Sequence, residues 1–305
     1  MKVKIVEVGP RDGLQNEKEI LPTPVKIRLI EKLAEAGLSF IEASSFVSPR
    51  WIPQLADAED VLRGISRKEG VVYSALVPNA RGLERARECG LTEVAVFMSA
   101  SETHNLKNIN KSIDETLPVL REVVREAIAQ GMLVRGYVST VFGCPYEGKV
   151  PIDNSRRIVQ ALLEMGVYEV SLGDTIGIAT PKQVLELCEV LVKDVAAAQL
   201  AGHFHDTRGT GLANVLAALE AGIRTFDSSI GGLGGCPYAP GAAGNISTED
   251  LVYMLHGMDY TTGIDQARLL EAGVYIQEQL GRELNSKVLK AHQAEKQTDG
   301  TGGCR

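Results

Sequence analysis

The chain has 305 residues, of which 44% are hydrophobic and 23% charged, a composition typical of a globular protein with a sizeable core. Its formal net charge of −7 argues against a nucleic-acid partner, and no apolar run approaches the roughly 20 residues that a membrane span needs. The five cysteines form no CxxC pair, and the first residues read as a strand rather than a targeting peptide. These features indicate reduced thiols and a cytoplasmic protein.

A junction of one type recurs along the chain: an amphipathic helical run ends at a glycine, and a short apolar strand follows. Glycine just past a helix end is typical of the C-cap, so each copy predicts a return from helix to strand. The junction glycines are Gly37, Gly90, Gly131, Gly166 and Gly222. The strands that follow them lie at 40–43, 94–97, 134–138, 169–172 and 225–228, and further strands are predicted at 3–8, 71–77 and 199–205.

Eight strands that alternate with helices predict a parallel sheet, and eight such units in about 260 residues predict a (β/α)8 TIM barrel. A doubly wound open sheet is the alternative that the same alternation allows. With a further helix predicted at 264–281, the barrel and its one or two extra C-terminal helices form a single domain over residues 1–292. Residues 293–305 read as a flexible, disordered tail.

Polar residues collect at the predicted carboxyl ends of the strands, where TIM barrels have their active sites. They are Arg11, Asp12, Glu42, Ser44, Ser45, Asn79, Ser99, Ser139, Thr140, Asp174, Thr175, His203 and His205. A glycine-rich loop follows the last strand at 231–245; it contains Cys236 and ends at Asn245. Such a loop suits a backbone that moves or approaches a ligand, which makes it a candidate lid carrying a thiol to a substrate. A plain connection with an incidental cysteine is the alternative.

The sequence also predicts a metal site. His203 and His205 are two residues apart on one strand, so their side chains share a face and can hold one metal ion. Asp12 adds a carboxylate once the barrel closes, and Asn245 offers an oxygen. Two nitrogens with hard oxygen ligands favour Mg²⁺ or Mn²⁺, while Zn²⁺ and Fe²⁺ stay open.

Apart from strand 1, no predicted strand contains a lysine, which disfavours Schiff-base aldolase chemistry.

Six segments carry a family resemblance. They are VEVGPRDGLQNE (6–17), IEASSFVSPRW (41–51), FGCPYEG (142–148), SLGDTIG (171–177), HFHDT (203–207) and the loop at 231–245. Together they resemble the 3-hydroxy-3-methylglutaryl-CoA lyases, and the likeness runs from about residue 3 to about residue 292. The Arg-Asp and His-x-His elements are shared with a wider superfamily of metal-dependent acyl-CoA and 2-oxoacid condensing enzymes. The GLGGCPYA segment of the loop is particular to the lyases.

The resemblance implies cleavage of 3-hydroxy-3-methylglutaryl-CoA to acetyl-CoA and acetoacetate by an enzyme that uses Mg²⁺ or Mn²⁺. It also implies an acyl-CoA substrate as the partner and a homodimer, with neither nucleic acid nor membrane. The implied ligands of the cation are Asp12, His203, His205 and Asn245. When bound, the cation would lower the pKa of the substrate hydroxyl.

The resemblance also gives roles to the remaining site residues. Asp12 would help to remove the hydroxyl proton, and Arg11 would hold the negative charge that develops on the thioester oxygen. Cys236 would protonate the carbanion, with His203 as a relay. Glu42 and Asp174 would orient the site and bind polar groups of the substrate.

Structural interpretations of the same residues stay open at this level. Arg11 and Asp12 can form a simple surface ion pair, Glu42 can serve as a structural partner of Arg11, and Asp174 can cap the turn after its strand. Cys144, in the FGCPYEG segment, reads as a structural element of a loop.

The functional alternatives are lysis of a related branched 3-hydroxyacyl-CoA, a synthase such as those making citramalate or isopropylmalate, and a non-catalytic metal-binding scaffold. The synthases usually carry an extra C-terminal domain, for which about 45 residues after the barrel are too few.

Overall fold

The structure, a computed structural model, describes residues 1–236 and 239–300, with side chains at all of these positions except 236, 239–243 and 297–300. Eight parallel strands form a closed barrel in sequence order, and the last strand pairs with the first. The strands are β1 (Lys4–Glu7), β2 (Phe40–Ser45), β3 (Val72–Leu76), β4 (Glu93–Ser99), β5 (Leu133–Ser139), β6 (Glu169–Asp174), β7 (Leu200–Phe204) and β8 (Thr225–Ser228). The predicted (β/α)8 barrel is confirmed, and the open sheet is excluded because an open sheet has two unpaired edges.

Helices connect the strands and surround the barrel. They are α1 (Thr23–Glu35), α2 (Ala58–Gly64), α3 (Ala80–Glu88), α4 (Glu102–Ile109), α5 (Ile113–Ala129), α6 (Ile152–Glu164), α7 (Pro181–Leu191), α8 (Gly211–Glu220), α9 (Thr248–Gly257), α10 (Gln266–Leu280) and α11 (Lys287–Gly300). Helix α9 follows β8 and completes the eight units, α10 packs against α1, and α11 contacts both α9 and α10. A short antiparallel pair, Gly235–Cys236 with Ala239–Ala243, lies between β8 and α9.

The five junction glycines all adopt the left-handed backbone that a helix C-cap favours, with φ between +70° at Gly90 and +101° at Gly166. At Gly37 a Cβ atom would lie 2.4 Å from the carbonyl oxygen of Gly263, so the close approach of these two loops also requires a glycine. The recurring junction therefore marks real helix-to-strand returns, and it accounts for the accuracy with which the strands were placed.

The main apolar core lies between the strands and the surrounding helices, whereas the barrel interior is largely polar. Residues of β5 illustrate the period of two: Val134 and Val138 belong to the apolar layer, while Arg135 and Tyr137 point into the barrel, where they contact interior acids. A barrel interior that is filled by side chains in this way acts as a packed core rather than as a pore. Its upper, carboxyl end is where the functional side chains meet.

The C-terminal segment differs from the prediction. The sequence placed the start of a disordered tail at residue 293, but the backbone of α11 is helical through Gly300. The buried side chain of Leu289 anchors this helix, and residues such as Ala294 and Lys296 favour helix continuation. The predicted domain boundary at 292 thus lies inside a helix, and residues 301–305 lie outside the described residues.

Candidate active site

The backbone brings the predicted metal ligands together at the upper end of the barrel. Arg11 and Asp12 lie in a π-helical turn, Gly9–Gly13, that follows β1 directly. Turns of this type are rare in proteins overall. Where they occur they are often at functional sites, because one residue more than in an α-helical turn redirects the side chains. His203 lies on β7 and His205 one residue beyond it. One ligand atom from each of Asp12, His203 and His205 lies within 4.8 Å of the others.

Two imidazole nitrogens face one another at this point. The Nε2 atoms of His203 and His205 are 3.4 Å apart, and His203 Nε2 lies 3.9 Å from Asp12 Oδ2. Both histidines are buried, and the side chain of Asp12 is only slightly exposed. Convergence of two nitrogens and a carboxylate oxygen is the geometry that a single divalent cation requires.

Asn245 joins this group through backbone pairing. An isolated antiparallel bridge links it to His205, which places its side chain against the aspartate. Its Nδ2 donates to Asp12 Oδ2 at 2.7 Å and to the carbonyl oxygen of Leu233 at 3.2 Å. Its buried Oδ1 has no hydrogen-bond partner among the described residues, and an unpaired buried acceptor is unfavourable. The donor set of Asp12, His203, His205 and Asn245 therefore fits a divalent cation.

Electrostatics keep Asp12 and His205 in their metal-binding forms. Burial would raise the pKa of Asp12, but the charge of Arg11 and the two histidines lower it to about 2. Burial, together with neighbouring His203, lowers the pKa of His205 to about 4. For His203, burial acts in the same direction but is outweighed by Asp227, which raises the pKa. Asp12 is consequently ionised and His205 neutral at neutral pH.

Arg11 is held by two carboxylates. Its guanidinium donates to Glu42 Oε2 at 2.7 Å and to Asp12 Oδ1, and its carbon lies 5.3 Å from the centre of the Tyr137 ring. The side chain of Arg11 is 8% exposed, so the predicted alternative of a simple surface ion pair is wrong. Glu42 does pair with Arg11, and Tyr137 donates to the same carboxylate oxygen at 3.1 Å. This network fixes a cationic fork beside the predicted metal ligands.

Asp174 has the turn-capping role that the sequence left open. Its two carboxylate oxygens accept hydrogen bonds from the backbone N–H groups of Ile178 and Ala179, at 3.0 and 3.1 Å. Burial raises its pKa to about 6 although these bonds act in the opposite direction. Asp174 thus shapes the loop after β6. Contact with a substrate remains a prediction.

Other strand-end residues mainly organise loops. Asn79 caps α3 by accepting from the N–H of Gly82, and the hydroxyls of Ser99 and Thr140 are 2.7 Å apart. Cys144 is buried, and its sulfur accepts a hydrogen bond from the hydroxyl of Ser101 at 2.9 Å. The structure therefore agrees with its interpretation as a loop element.

Two buried glutamates hold the start of the glycine-rich loop. Glu7 accepts from the N–H groups of Gly9 and Ile230, and Glu249 accepts from the N–H of Gly231. Burial raises the pKa of Glu7 to about 8 and that of Glu249 to about 7. The side chain of Cys236, the predicted acid, lies outside the described residues.

Three interior residues were missed by sequence reasoning. Arg135 and Tyr137 on β5 and Asp227 on β8 are buried in the barrel, next to the residues that were predicted. Burial would raise the pKa of Asp227, but Arg135 and His203 hold it well below its ordinary range. The available signal was an ionisable residue in the middle of a short apolar strand, at an inward position of the period-two pattern.

Comparison with known proteins assigns the chain to a family. The HMGL-like family model matches residues 2–276. A hydroxymethylglutaryl-CoA lyase of Bacillus subtilis is 56% identical over 95% of this chain and 97% of that protein. A crystal structure of the Bacillus subtilis HMG-CoA lyase superposes with a TM-score of 0.95 at 55% identity, covering 96% of this chain and 98% of that one.

A further structural relative comes with ligands. The HMG-CoA lyase of Acinetobacter baumannii in complex with coenzyme A and 3-methylmalate is 43% identical to this chain, with a TM-score of 0.91 and 95% of both chains covered. Within the described residues, no helix combines the length and the apolar character needed to cross a bilayer. The family match, the shared barrel and the Asp-His-His cluster agree, and the chain belongs to the HMGL-like family.

Proposed function

We propose that this protein cleaves 3-hydroxy-3-methylglutaryl-CoA to acetyl-CoA and acetoacetate. The observation that carries the proposal is the convergence of Asp12, His203, His205 and Asn245 beside the buried fork of Arg11. Relatives that match over almost the whole chain bear the name of this lyase, and one of them was crystallised with coenzyme A. The coenzyme A bound to that relative supports an acyl-CoA substrate for this protein.

A divalent cation, Mg²⁺ or Mn²⁺, belongs to this proposal. Asp12 and Asn245 would supply hard oxygen ligands, and the two histidines would supply nitrogens, a set that both ions accept. When bound, the cation supplies Lewis-acid chemistry that makes the tertiary hydroxyl of the substrate more acidic. The protein contributes the remaining steps through its own side chains.

The first step removes a proton. Asp12, ionised and held by Arg11 and Asn245, accepts the proton of the substrate's C3 hydroxyl. The C2–C3 bond then breaks: C3 becomes the ketone carbon of acetoacetate, and the electron pair passes to the acetyl-CoA fragment as an enolate. Arg11 stabilises the negative charge on the enolate oxygen through its fixed donors.

The second step returns a proton to carbon. The thiol of Cys236 donates a proton to C2 of the enolate and completes acetyl-CoA, and the proton that Asp12 took from the hydroxyl restores the thiol. Glu42 orients Arg11, and Asp174 shapes the loop that borders the substrate. The glycine-rich loop would exclude water, which strengthens every electrostatic contact in the site.

The assembly and location of the protein are proposals of the same kind. We expect a homodimer, as the family resemblance suggests, and a cytoplasmic location, as five cysteines without a CxxC pair suggest. Size-exclusion chromatography with light scattering tests the first expectation.

A coupled assay for acetoacetate tests the function. Purified protein with 3-hydroxy-3-methylglutaryl-CoA and Mn²⁺ should release acetoacetate, and EDTA should stop the release until Mn²⁺ or Mg²⁺ is restored in excess. No acetoacetate in the presence of added Mn²⁺ would refute the proposal. Citramalate and isopropylmalate synthesis from the matching 2-oxoacids and acetyl-CoA serve as controls, and neither is expected.

A further inference from the structure

We propose that Asp227 is a positioning residue for His203: it fixes which ring nitrogen carries the proton, so that Nε2 is presented as a metal ligand. This inference rests on the proposed metal-dependent function, since it concerns a residue of that site. Asp227 lies on β8 and was not predicted from the sequence.

The strand register brings the two residues together. His203 on β7 is paired directly with Asp227 on β8, so their side chains lie side by side on the inward face. On the other flank His203 is paired with Gly173 of β6, which has no side chain to compete for the ring. The ring is therefore directed towards Asp227 by the barrel itself.

The contact is specific to one nitrogen. Nδ1 of His203 lies 3.1 Å from Asp227 Oδ2, whereas Nε2 points towards Asp12 and His205. An ionised carboxylate only accepts hydrogen bonds, so Nδ1 must carry a proton to donate. In the neutral ring this leaves the lone pair on Nε2, which is the form that binds a metal ion.

Asp227 is itself held rigidly from two sides. Ser171 donates to Oδ2 at 2.6 Å, and Arg135 donates to Oδ1 at 2.8 Å. Arg135 is fixed in turn by Glu169 at 2.7 Å. The carboxylate therefore has a single orientation, and that orientation is transmitted to the histidine ring.

Among the residues that the structure describes, no carboxylate lies behind the ring of His205, the second histidine. The buried Nδ1 of His205 has no hydrogen-bond partner within the described part of the chain. The two predicted nitrogen ligands thus differ: one is oriented by a carboxylate behind it, and the other relies on packing and on the ligand. Removing Asp227 should affect the first alone.

Asp227→Asn tests the proposal, with Glu169→Gln as the matched control. Each substitution removes one carboxylate from Arg135, but only the first touches His203. The measurement is Mn²⁺ binding by calorimetry, with the metal alone and no substrate. We expect D227N to weaken Mn²⁺ binding about 10- to 100-fold and E169Q, which reaches His203 only through Arg135 and Asp227, to weaken it much less. Equal losses in both variants, or wild-type affinity in D227N, would overturn the proposal.

A second measurement needs no metal, and its decisive result comes from the wild-type protein. Long-range ¹H–¹⁵N NMR of histidine-labelled protein, at a pH where the rings are neutral, reports the tautomer of His203. We expect the Nδ1–H form in the wild type, and its loss in D227N, with His256 as the unaffected reference. The Nε2–H form in the wild type would overturn the proposal even where D227N does not fold. Both measurements are independent of acetoacetate release, so a failure of the proposed function is recognised separately.

Discussion

The two ends of the barrel interior use the same residue types for different purposes. At the lower end, Lys4 contacts Glu169 at 3.1 Å, and Arg135 lies between Glu169 and Asp227. Cations and carboxylates there meet directly. At the upper end Asp12 and the two histidines converge on a common point.

The difference is one of charge balance. Buried ions are tolerated when they are paired, because desolvation is then offset by the attraction between them. The lower end contains its own counter-ions, since Lys4 contacts Glu169 and Arg135 contacts both Glu169 and Asp227, although the Nη1 atom of Arg135 has no hydrogen-bond partner among the described residues. The upper end presents more oxygen and nitrogen acceptors than the nearby Arg11 satisfies, and the Oδ1 atom of Asn245 is without a partner in the described region. The end whose charges are paired stabilises the fold, and the end with a surplus of acceptors is the candidate cation site.

Asp12→Asn should abolish most of the activity, because it removes both a proposed ligand and the proposed base. We expect turnover to fall by about 10²–10⁴-fold and Mn²⁺ binding to weaken, and the free energy of unfolding should also fall, because ionised Asp12 is paired with the buried Arg11. Acetoacetate release, calorimetry and urea unfolding measure the three. Asp194→Asn, at a surface ion pair with Arg156, is the control and should leave all of them unchanged. A fully active D12N enzyme would contradict the assignment of Asp12.

Cys236→Ala tests whether the chemistry at the upper end also requires the thiol of the glycine-rich loop. We expect a loss of about 10²–10⁴-fold in turnover, since a general acid is removed, while Mn²⁺ affinity stays at the wild-type value. Cys304→Ala, at the last cysteine of the sequence, controls for the loss of a thiol elsewhere. An unchanged rate in C236A would remove the thiol from the mechanism.

Arg135→Met should mainly lower the free energy of unfolding and have a smaller effect on Mn²⁺ binding. It leaves two buried carboxylates without their shared cation, and the free energy of unfolding should fall by about 3–5 kcal/mol. Arg156→Met removes an arginine that is 43% exposed and should lower the free energy of unfolding much less. Urea unfolding of both variants measures the difference. Equal effects would mean that burial does not distinguish the two ion pairs.

Glu7→Gln should give the smallest effect, a change in the pH dependence of stability. The pKa of Glu7 is about 8 in the folded protein against an ordinary value of 4.5. The folded state holds this proton more tightly than the unfolded state does. The contribution of Glu7 to the free energy of unfolding is therefore largest below pH 4.5 and declines as the pH rises from there to about 8.

Gln mimics the protonated carboxyl and removes this part of the decline. Between about pH 6 and about pH 8, the melting temperature of E7Q should therefore fall less than that of the wild type, by about 2–4 °C for each kcal/mol involved. Glu220→Gln, at an exposed position, should leave the slope unchanged. A wild-type slope in E7Q would show that Glu7 is not the source.

The barrel was predictable because its signals are local. A glycine after each helix and the apolar runs that follow placed the strands within one or two residues, as at Glu169–Asp174 against the predicted 169–172. The site residues were recognisable for a similar reason, since the strand ends carry acids, amides and imidazoles. The π-helical turn that carries Asp12 and the helical extension to Gly300 were not predicted, because each depends on what packs around the segment.

The sequence by itself determined the alternation of strands and helices, the inward face of each strand and the residue types at the strand ends. Only the tertiary structure decided which inward residues meet. His203 and Asp227 are 24 residues apart, and Arg135 and Asp227 are 92 apart, yet all three lie in one chain of contacts. A period of two fixes the face of a strand but not its register against a neighbour, and register is set when the barrel closes. The pairing of ligand with orienting carboxylate is therefore a property of the closed barrel.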